Sequence, residues 1–281
     1  MKELTRLTKS DLIPFEAFVG FERLKKVNPI LACEPPEWAA AAHAMVVDDT
    51  VHYLWARRKQ GNYWVLMHST APVGDPLAIK HDRRNPVLLP SKEGFDDFTI
   101  EYPFPFWNPA DRRFYVYYLG RQQSPPKQTG LLVGDGDFGQ WTRVRQTPVI
   151  AADTEHERQG SSHPSVADHL SWDSCGVREA EIFTGPQYFH ILYGGFDGEV
   201  WRVRHVRTRD FRTFEPNPYN PVFTPSPDPD AWDCDGVLIP QVIEIDNVYY
   251  IVYAGKRGNE WQTGLAKASN PYNLCLTEAK L

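Results

Sequence analysis

The chain has 281 residues, 42% of them hydrophobic and 23% charged, with a formal net charge of −6. That length can bury one large core or two small ones, and no Gly/Ser-rich or single-sign stretch marks a linker, so residues 1–281 read as a single domain. The acidic balance, with no basic stripe, excludes nucleic acid as the main partner.

Residues 1–20 hold no long apolar run behind a basic start, so neither a signal peptide nor a membrane span is expected. Cys33, Cys175, Cys234 and Cys275 have no CxxC spacing. They read as free thiols of a cytoplasmic protein rather than as zinc ligands.

In chain order, the first recognisable unit opens with Asn28-Pro29-Ile30-Leu31, passes Trp38 and continues into the aromatic run Val51-His52-Tyr53-Leu54-Trp55. The basic groups Arg57-Arg58-Lys59 and Arg83-Arg84 read as solvated turn positions. A second unit runs from Asn85-Pro86-Val87-Leu88 through Phe95-Asp96-Asp97 and the strand-like Phe114–Gly120 to Thr129-Gly130-Leu131-Leu132. Thr147-Pro148-Val149-Ile150 opens a third, with Trp172-Asp173-Ser174-Cys175-Gly176-Val177. A fourth follows Asn220-Pro221-Val222-Phe223, with Trp232-Asp233-Cys234-Asp235-Gly236-Val237. The last two superpose at an offset of 60 residues, which also carries Tyr193 onto Tyr253 and Gly195 onto Gly255 without a gap.

Within the fourth unit an apolar strand (237–245) meets a turn at Asp246-Asn247 and an aromatic, β-branched strand (248–254), the pattern of a hairpin. Gly264-Leu265-Ala266 supplies a third strand and the Asn-Pro-Val segment a fourth, with Pro where a missing N–H costs least. Four antiparallel strands per unit, repeated four times, predict an all-β protein of β-propeller type. The repeated Trp and Tyr are then expected to pack between blades, and the Asp after each Trp to order a turn.

On these residues, above all the line from Trp232 to Leu274, the chain resembles the five-bladed propeller glycosidases. That group takes in glycoside hydrolase family 43, the invertase-like fructosidases and the mannoside phosphorylases. The resemblance spans residues 28–270 and implies five blades, of which four are readable, and a ring closed by strands from both chain ends. It implies a glycoside or oligosaccharide substrate. It also implies a general acid in a Glu-x-Pro segment, matched by Glu101-Tyr102-Pro103, and a general-base Asp in the first blade. There the chain has Ala39-Ala40-Ala41-Ala42-His43-Ala44, with no carboxylate.

Aligned blade on blade, Ala41-Ala42-His43 falls level with Glu101-Tyr102-Pro103, Arg178-Glu179-Ala180 and Leu238-Ile239-Pro240. A propeller gathers the starts of its inner strands around one channel mouth, so His43, Glu101, Arg178 and Glu179 are expected to converge. Glycoside cleavage needs one protonated and one ionised carboxyl, which makes Glu101 and Glu179 the candidate catalytic pair. Glu181 lies on the same strand face as Glu179 by the period of two and is held in reserve. An ion pair of Glu101 with Arg178 is the alternative. Tyr102 and Trp107 are candidate sugar-stacking aromatics, and Asp235 joins the substrate-binding set. The segment 151–170 carries His156, His163 and His169, with His163 at a candidate substrate-contacting tip. Its spacing fits no zinc pattern, and neither metal nor cofactor is expected. The expected function is glycosidase-like. The alternatives are a propeller turned to non-hydrolytic acid/base chemistry (cyclisation, elimination or isomerisation) and a non-catalytic carbohydrate-binding propeller.

Overall fold

A computed structural model of the protein describes residues 15–24, 26–108, 111–123, 128–134, 138, 140–149, 176–184, 187–210, 213–245 and 248–268. Contacts divide the chain into two compact units, one of residues 29–162 with 260–263 and one of 1–28, 163–259 and 264–281. The strands are β1 (Phe21–Arg23), β2 (Trp38–Val47), β3 (Thr50–Lys59), β4 (Tyr63–Pro72), β5 (Lys80–His81), β6 (Thr99–Asn108), β7 (Arg113–Arg121) and β8 (Gln128–Gly134). They continue with β9 (Thr142–Arg143), β10 (Gly176–Thr184), β11 (Phe189–Phe196), β12 (Trp201–Thr208), β13 (Phe214–Pro216), β14 (Gly236–Ile245), β15 (Val248–Arg257) and β16 (Glu260–Ala268). Among the described residues the only helix is one 3-10 turn at Phe15–Phe18.

The unit around residues 29–162 contains two four-stranded antiparallel sheets, β2-β3-β4-β5 and β6-β7-β8-β9. In the other unit β10-β11-β12-β13 and β14-β15-β16-β1 form two more, touching through the single parallel pair Trp201–Gly236. The protein is therefore all-β, with each sheet built of three long strands and one short one. The core of this second unit includes Val203, Phe223, Val237, Ile251, Tyr253 and Ala266.

The fourth strand is not the Asn-Pro segment expected from the sequence. It is a separate two- or three-residue strand: β5, β9, β13 or β1. The Asn-Pro segments instead lie beside the third strand of a sheet through isolated bridges: Leu88 to Leu66, Phe223 to Val203, and Leu31 to Thr263. The asparagine side chain adds two bonds to these backbone contacts. Asn85 donates to the His68 carbonyl (2.7 Å) and accepts from the His68 N–H (2.7 Å). Asn220 does the same to His205 (2.9 and 2.8 Å), and Asn28 to Leu265 (2.7 and 2.9 Å). An amide offers a donor and an acceptor side by side, as a strand backbone does, so it can satisfy the third-strand edge where proline cannot.

Phe21–Arg23 pairs antiparallel with Ala266–Ala268. An N-terminal strand thus completes the last sheet, as the resemblance implies: Phe21–Arg23 forms the ladder, and Asn28–Leu31 joins the same strand through Asn28 and the Leu31–Thr263 bridge.

The repeated aromatics pack within a sheet as well as between sheets: Tyr253 lies on Trp232 (centroids 5.5 Å) and also meets Phe223, which sits beside β12 (4.8 Å). Tyr118 lies directly across from Gly130, and a Cβ on Gly130 would come within 2.2 Å of its Cζ. Similarly, a Cβ on Gly264 would lie 2.6 Å from Trp232 and 2.8 Å from Tyr253. These glycines are holes into which a ring is laid. Gly130→Ala is expected to cost about 1–3 kcal/mol by overpacking, read as a lowered urea midpoint with an unchanged slope; an unchanged midpoint would show that the ring simply moves aside. Trp38 is not the worn copy of the repeat tryptophan: it opens β2 itself, whereas Trp232 precedes β14.

Candidate active site

Every sheet carries an irregularity at the same place in its first strand. It falls between Ala40 and His43, Glu101 and Phe104, Arg178 and Glu181, and Leu238 and Gln241. The first strand has one residue more than its partner there, a bulge, which bends the strand and re-aims its side chains. Ala41, Tyr102 and Ile239 adopt positive φ (53°, 54° and 54°). For a β-branched isoleucine this is a true outlier, costing on the order of 1–3 kcal/mol. The recurrence of that strain in three sheets makes the bulge a built feature of the fold.

The bulges fix the register within each sheet. Ala40, Glu101, Arg178 and Leu238 hold equivalent positions; so do Ala41, Tyr102, Glu179 and Ile239; so do His43, Phe104, Glu181 and Gln241. The first sheet is therefore one residue out of the expected frame, because a run of alanines offers no side chain that marks the bulge. His43 is level with Phe104 rather than Pro103 and meets it edge-on, with ring centroids 5.4 Å apart.

Glu101 is almost fully buried (6% exposed) and His43 more so (1%), while Tyr102 is partly exposed. In the other unit Glu181 is also buried. Arg178 and Glu179 occupy the bulge of β10, their side chains outside the described residues, and His163 falls outside them as well. Trp107 does not join the bulge. It lies six residues beyond Glu101, roughly 20 Å along the strand at ~3.3 Å per residue, tilted against Phe114 near the hairpin end (centroids 4.6 Å, 54°). Asp235 accepts the Gly258 N–H at 2.6 Å, which holds its carboxyl below the ordinary range. It ties the start of β14 to the turn after β15.

Two cavities open elsewhere in the first unit. One of about 710 Å³ lies between Pro86–Glu93 and Arg143, and one of about 450 Å³ is lined by Cys33, Trp55, Met67 and His81. Neither is lined by Glu101 or His43.

Two features escaped the sequence reading. The first is a pair of histidine relays. His52 Nδ1 meets His68 Nε2 at 3.1 Å, and His68 Nδ1 meets Asp82 at 3.0 Å, with Phe138 stacked on His52. In the other unit His190 Nδ1 meets His205 Nε2 at 3.1 Å, and His205 Nδ1 meets Asn217 at 3.1 Å, with Phe18 stacked on both rings. The spacings of 16 and 15 residues across the second hairpin of a sheet were the available signal. The second concerns Arg57-Arg58-Lys59, which is not a solvated turn: Glu37 accepts from Arg57 Nε (2.6 Å) and Lys59 Nζ (2.9 Å).

No protein-family model and no curated protein matches the sequence. The fold is similar to that of solved glycoside hydrolases. A glycosyl hydrolase from Bacteroides ovatus is 14% identical, with a TM-score of 0.64 over 91% of this chain and 96% of that one. A GH62 α-L-arabinofuranosidase catalytic domain from Coprinopsis cinerea is 11% identical, with a TM-score of 0.64 over 90% and 98%. The α-L-arabinofuranosidase of Podospora anserina, solved with cellotriose, is 12% identical, with a TM-score of 0.62 over 91% and 98%. The fold is thus similar to that of GH43- and GH62-type propeller glycoside hydrolases.

Proposed function

We propose that the protein is an enzyme of five-bladed propeller type that acts on a glycoside or sugar-like oligosaccharide by acid/base chemistry at the first-strand bulges. Glu101 serves as proton donor to the leaving oxygen, and Glu179 as the ionised partner that activates water or attacks carbon. The observation that carries this reading is Glu101: a carboxyl in a bulged inner strand beside a strained Tyr102, in a fold shared with glycoside hydrolases. Tyr102 and Arg178 are candidates for holding substrate, and His43 packs edge-on against Phe104 just beyond Tyr102.

A second reading has its own support. The bulge of β2, where the resemblance implies a general-base Asp, presents Ala40 and Ala41. Two carboxyls without that base suit a proton shuttle such as an elimination or isomerisation. A panel of aryl glycosides, α-L-arabinofuranoside and β-D-xyloside first, tests both. Glu101→Gln and Glu179→Ala are each expected to lower kcat by about 10²-fold or more with an unchanged circular dichroism spectrum. Full activity in the double variant would end the enzymatic reading. A reducing sugar among the products identifies hydrolysis, and an unsaturated or cyclised one the second reading.

A further inference from the structure

Residues 57 to 59 alternate across their strand, as the period of two requires. Arg57 and Lys59 share one face and are both taken up by Glu37. Arg58 points to the other face, where its cross-strand partners are Trp38 on β2 and Trp64 on β4. Directly opposed residues share a face, so three adjacent strands carry one row, Trp38–Arg58–Trp64. The outer strands of such a row are two strand spacings apart, roughly 9.5 Å, yet the indole centroids stand only 6.0 Å apart at 64°. The rings lean inward over the arginine strand. The guanidinium lies over the Trp38 ring, 4.0 Å from its centroid, and its Nε donates to Asn62 Oδ1 at 2.8 Å.

That arrangement immobilises the guanidinium and leaves its working edge unused. Among the described residues no side chain or carbonyl takes up Arg58 Nη1 or Nη2, and no carboxylate pairs with it. All three side chains are partly exposed. A fixed, planar fork of two donors matches a carboxylate bidentately, and an ammonium could not reproduce it. Flanking indole faces suit the apolar face of a sugar ring. The row also lies close to the bulge: the Trp64 N–H donates to Thr99 Oγ1 at 2.8 Å, and Thr99 is two residues before Glu101 on β6. The row therefore meets β6 roughly 7 Å along the strand from the candidate acid.

Resting on the sugar-substrate reading above, we infer that Trp38, Arg58 and Trp64 form a subsite for an acidic sugar, the C6 carboxylate of a uronate gripped by Arg58 and its ring laid against an exposed indole face. Tryptophan fluorescence titrated with trigalacturonate, against neutral xylotriose, tests it directly. Trigalacturonate is expected to quench the emission and to bind at least tenfold more tightly than xylotriose. Arg58→Gln should erase that preference, and Arg58→Lys, which keeps the charge but not the fork, should lose most of it, both with unchanged thermal melts. Equal binding of the two sugars, or full uronate affinity in Arg58→Gln, would overturn the subsite. The titration needs no turnover and is repeated in Glu101→Gln. Uronate binding without cleavage of any glycoside would count against the enzyme and leave the subsite standing. Cleavage of neutral glycosides unaffected by Arg58→Gln would do the reverse.

Discussion

Asp233→Ala is expected to cost about 3–5 kcal/mol of folding stability, because it strands a buried charge. The Asp233 carboxylate is 1% exposed and accepts from Tyr253 Oη at 3.0 Å and from Arg23 Nε at 2.5 Å. Arg23 also donates to the Thr224 carbonyl and lies over the Phe223 ring at 4.3 Å. At 15% side-chain exposure, Arg23 gains little from solvent screening once its partner is gone. Burial, the largest cause of the raised Tyr253 pKa, remains after the carboxylate is removed, so the phenol is not expected to relieve the loss by ionising. The short strand β1, carrying Arg23, should loosen from β16. Asp233→Asn, which keeps the shape and one acceptor, should cost less. Urea unfolding measures both, and a loss below about 1 kcal/mol for the alanine variant would show that the network is not what fastens the N-terminal strand. The same argument applies to Asp96, which accepts from Tyr118 (2.7 Å), Arg143 (2.8 Å) and Ser91.

The histidine relay of the second unit should make the protein acid-labile well above the carboxylate range. Asn217 has its amide fixed: Nδ2 donates to the Phe15 carbonyl and Oδ1 accepts the Tyr219 N–H, both at 2.9 Å. Its NH₂ must therefore donate to His205 Nδ1, which places the His205 proton on Nε2, donated in turn to His190 Nδ1. Both rings are neutral in this arrangement, and protonating either sets N–H against N–H. Burial, with the Arg207 charge added, pushes His190 down to about 4 from its ordinary 6.5. Burial, then His190 and Arg207, hold His205 well below its usual range. Between pH 6.5 and 4 the unfolded chain consequently binds more protons than the folded one. The stabilisation is complete above 6.5 and is lost as pH falls towards 4, by about 3 kcal/mol for His190 alone. Unfolding free energies at pH 7.5 and 4.5 should differ accordingly, and His190→Leu should flatten the difference. An unchanged slope in that variant would refute the assignment. The other relay ends on Asp82, whose carboxyl is held far below its usual range, first of all by its hydrogen bond from Arg84. That relay therefore ends on an anion rather than on an amide.

The sequence by itself determined the repeat and the strand content; that Tyr118 and Trp232 lie over Gly130 and Gly264 came only from the structure. Alternation, hairpin residues and the sixty-residue offset are local signals, and they specify strands without reference to anything distant. It also gave Glu101 and Arg178 equivalent positions in their strands, with Glu179 one residue on in β10. Only the tertiary structure decided the rest. Trp107 and Glu101 share one strand yet stand at opposite ends of it. The alanine run hid a one-residue shift, since nothing in its side chains reports a bulge. The asparagines of the Asn-Pro segments act as surrogate strands, a role set by the edge they face and not by their neighbours in the chain. Arg58 differs from Arg57 and Lys59 only in which face of β3 it occupies and in what β2 and β4 place opposite. Cross-strand register is a long-range quantity: it depends on which backbone groups pair across tens of residues, and composition or spacing within one strand carries no record of it.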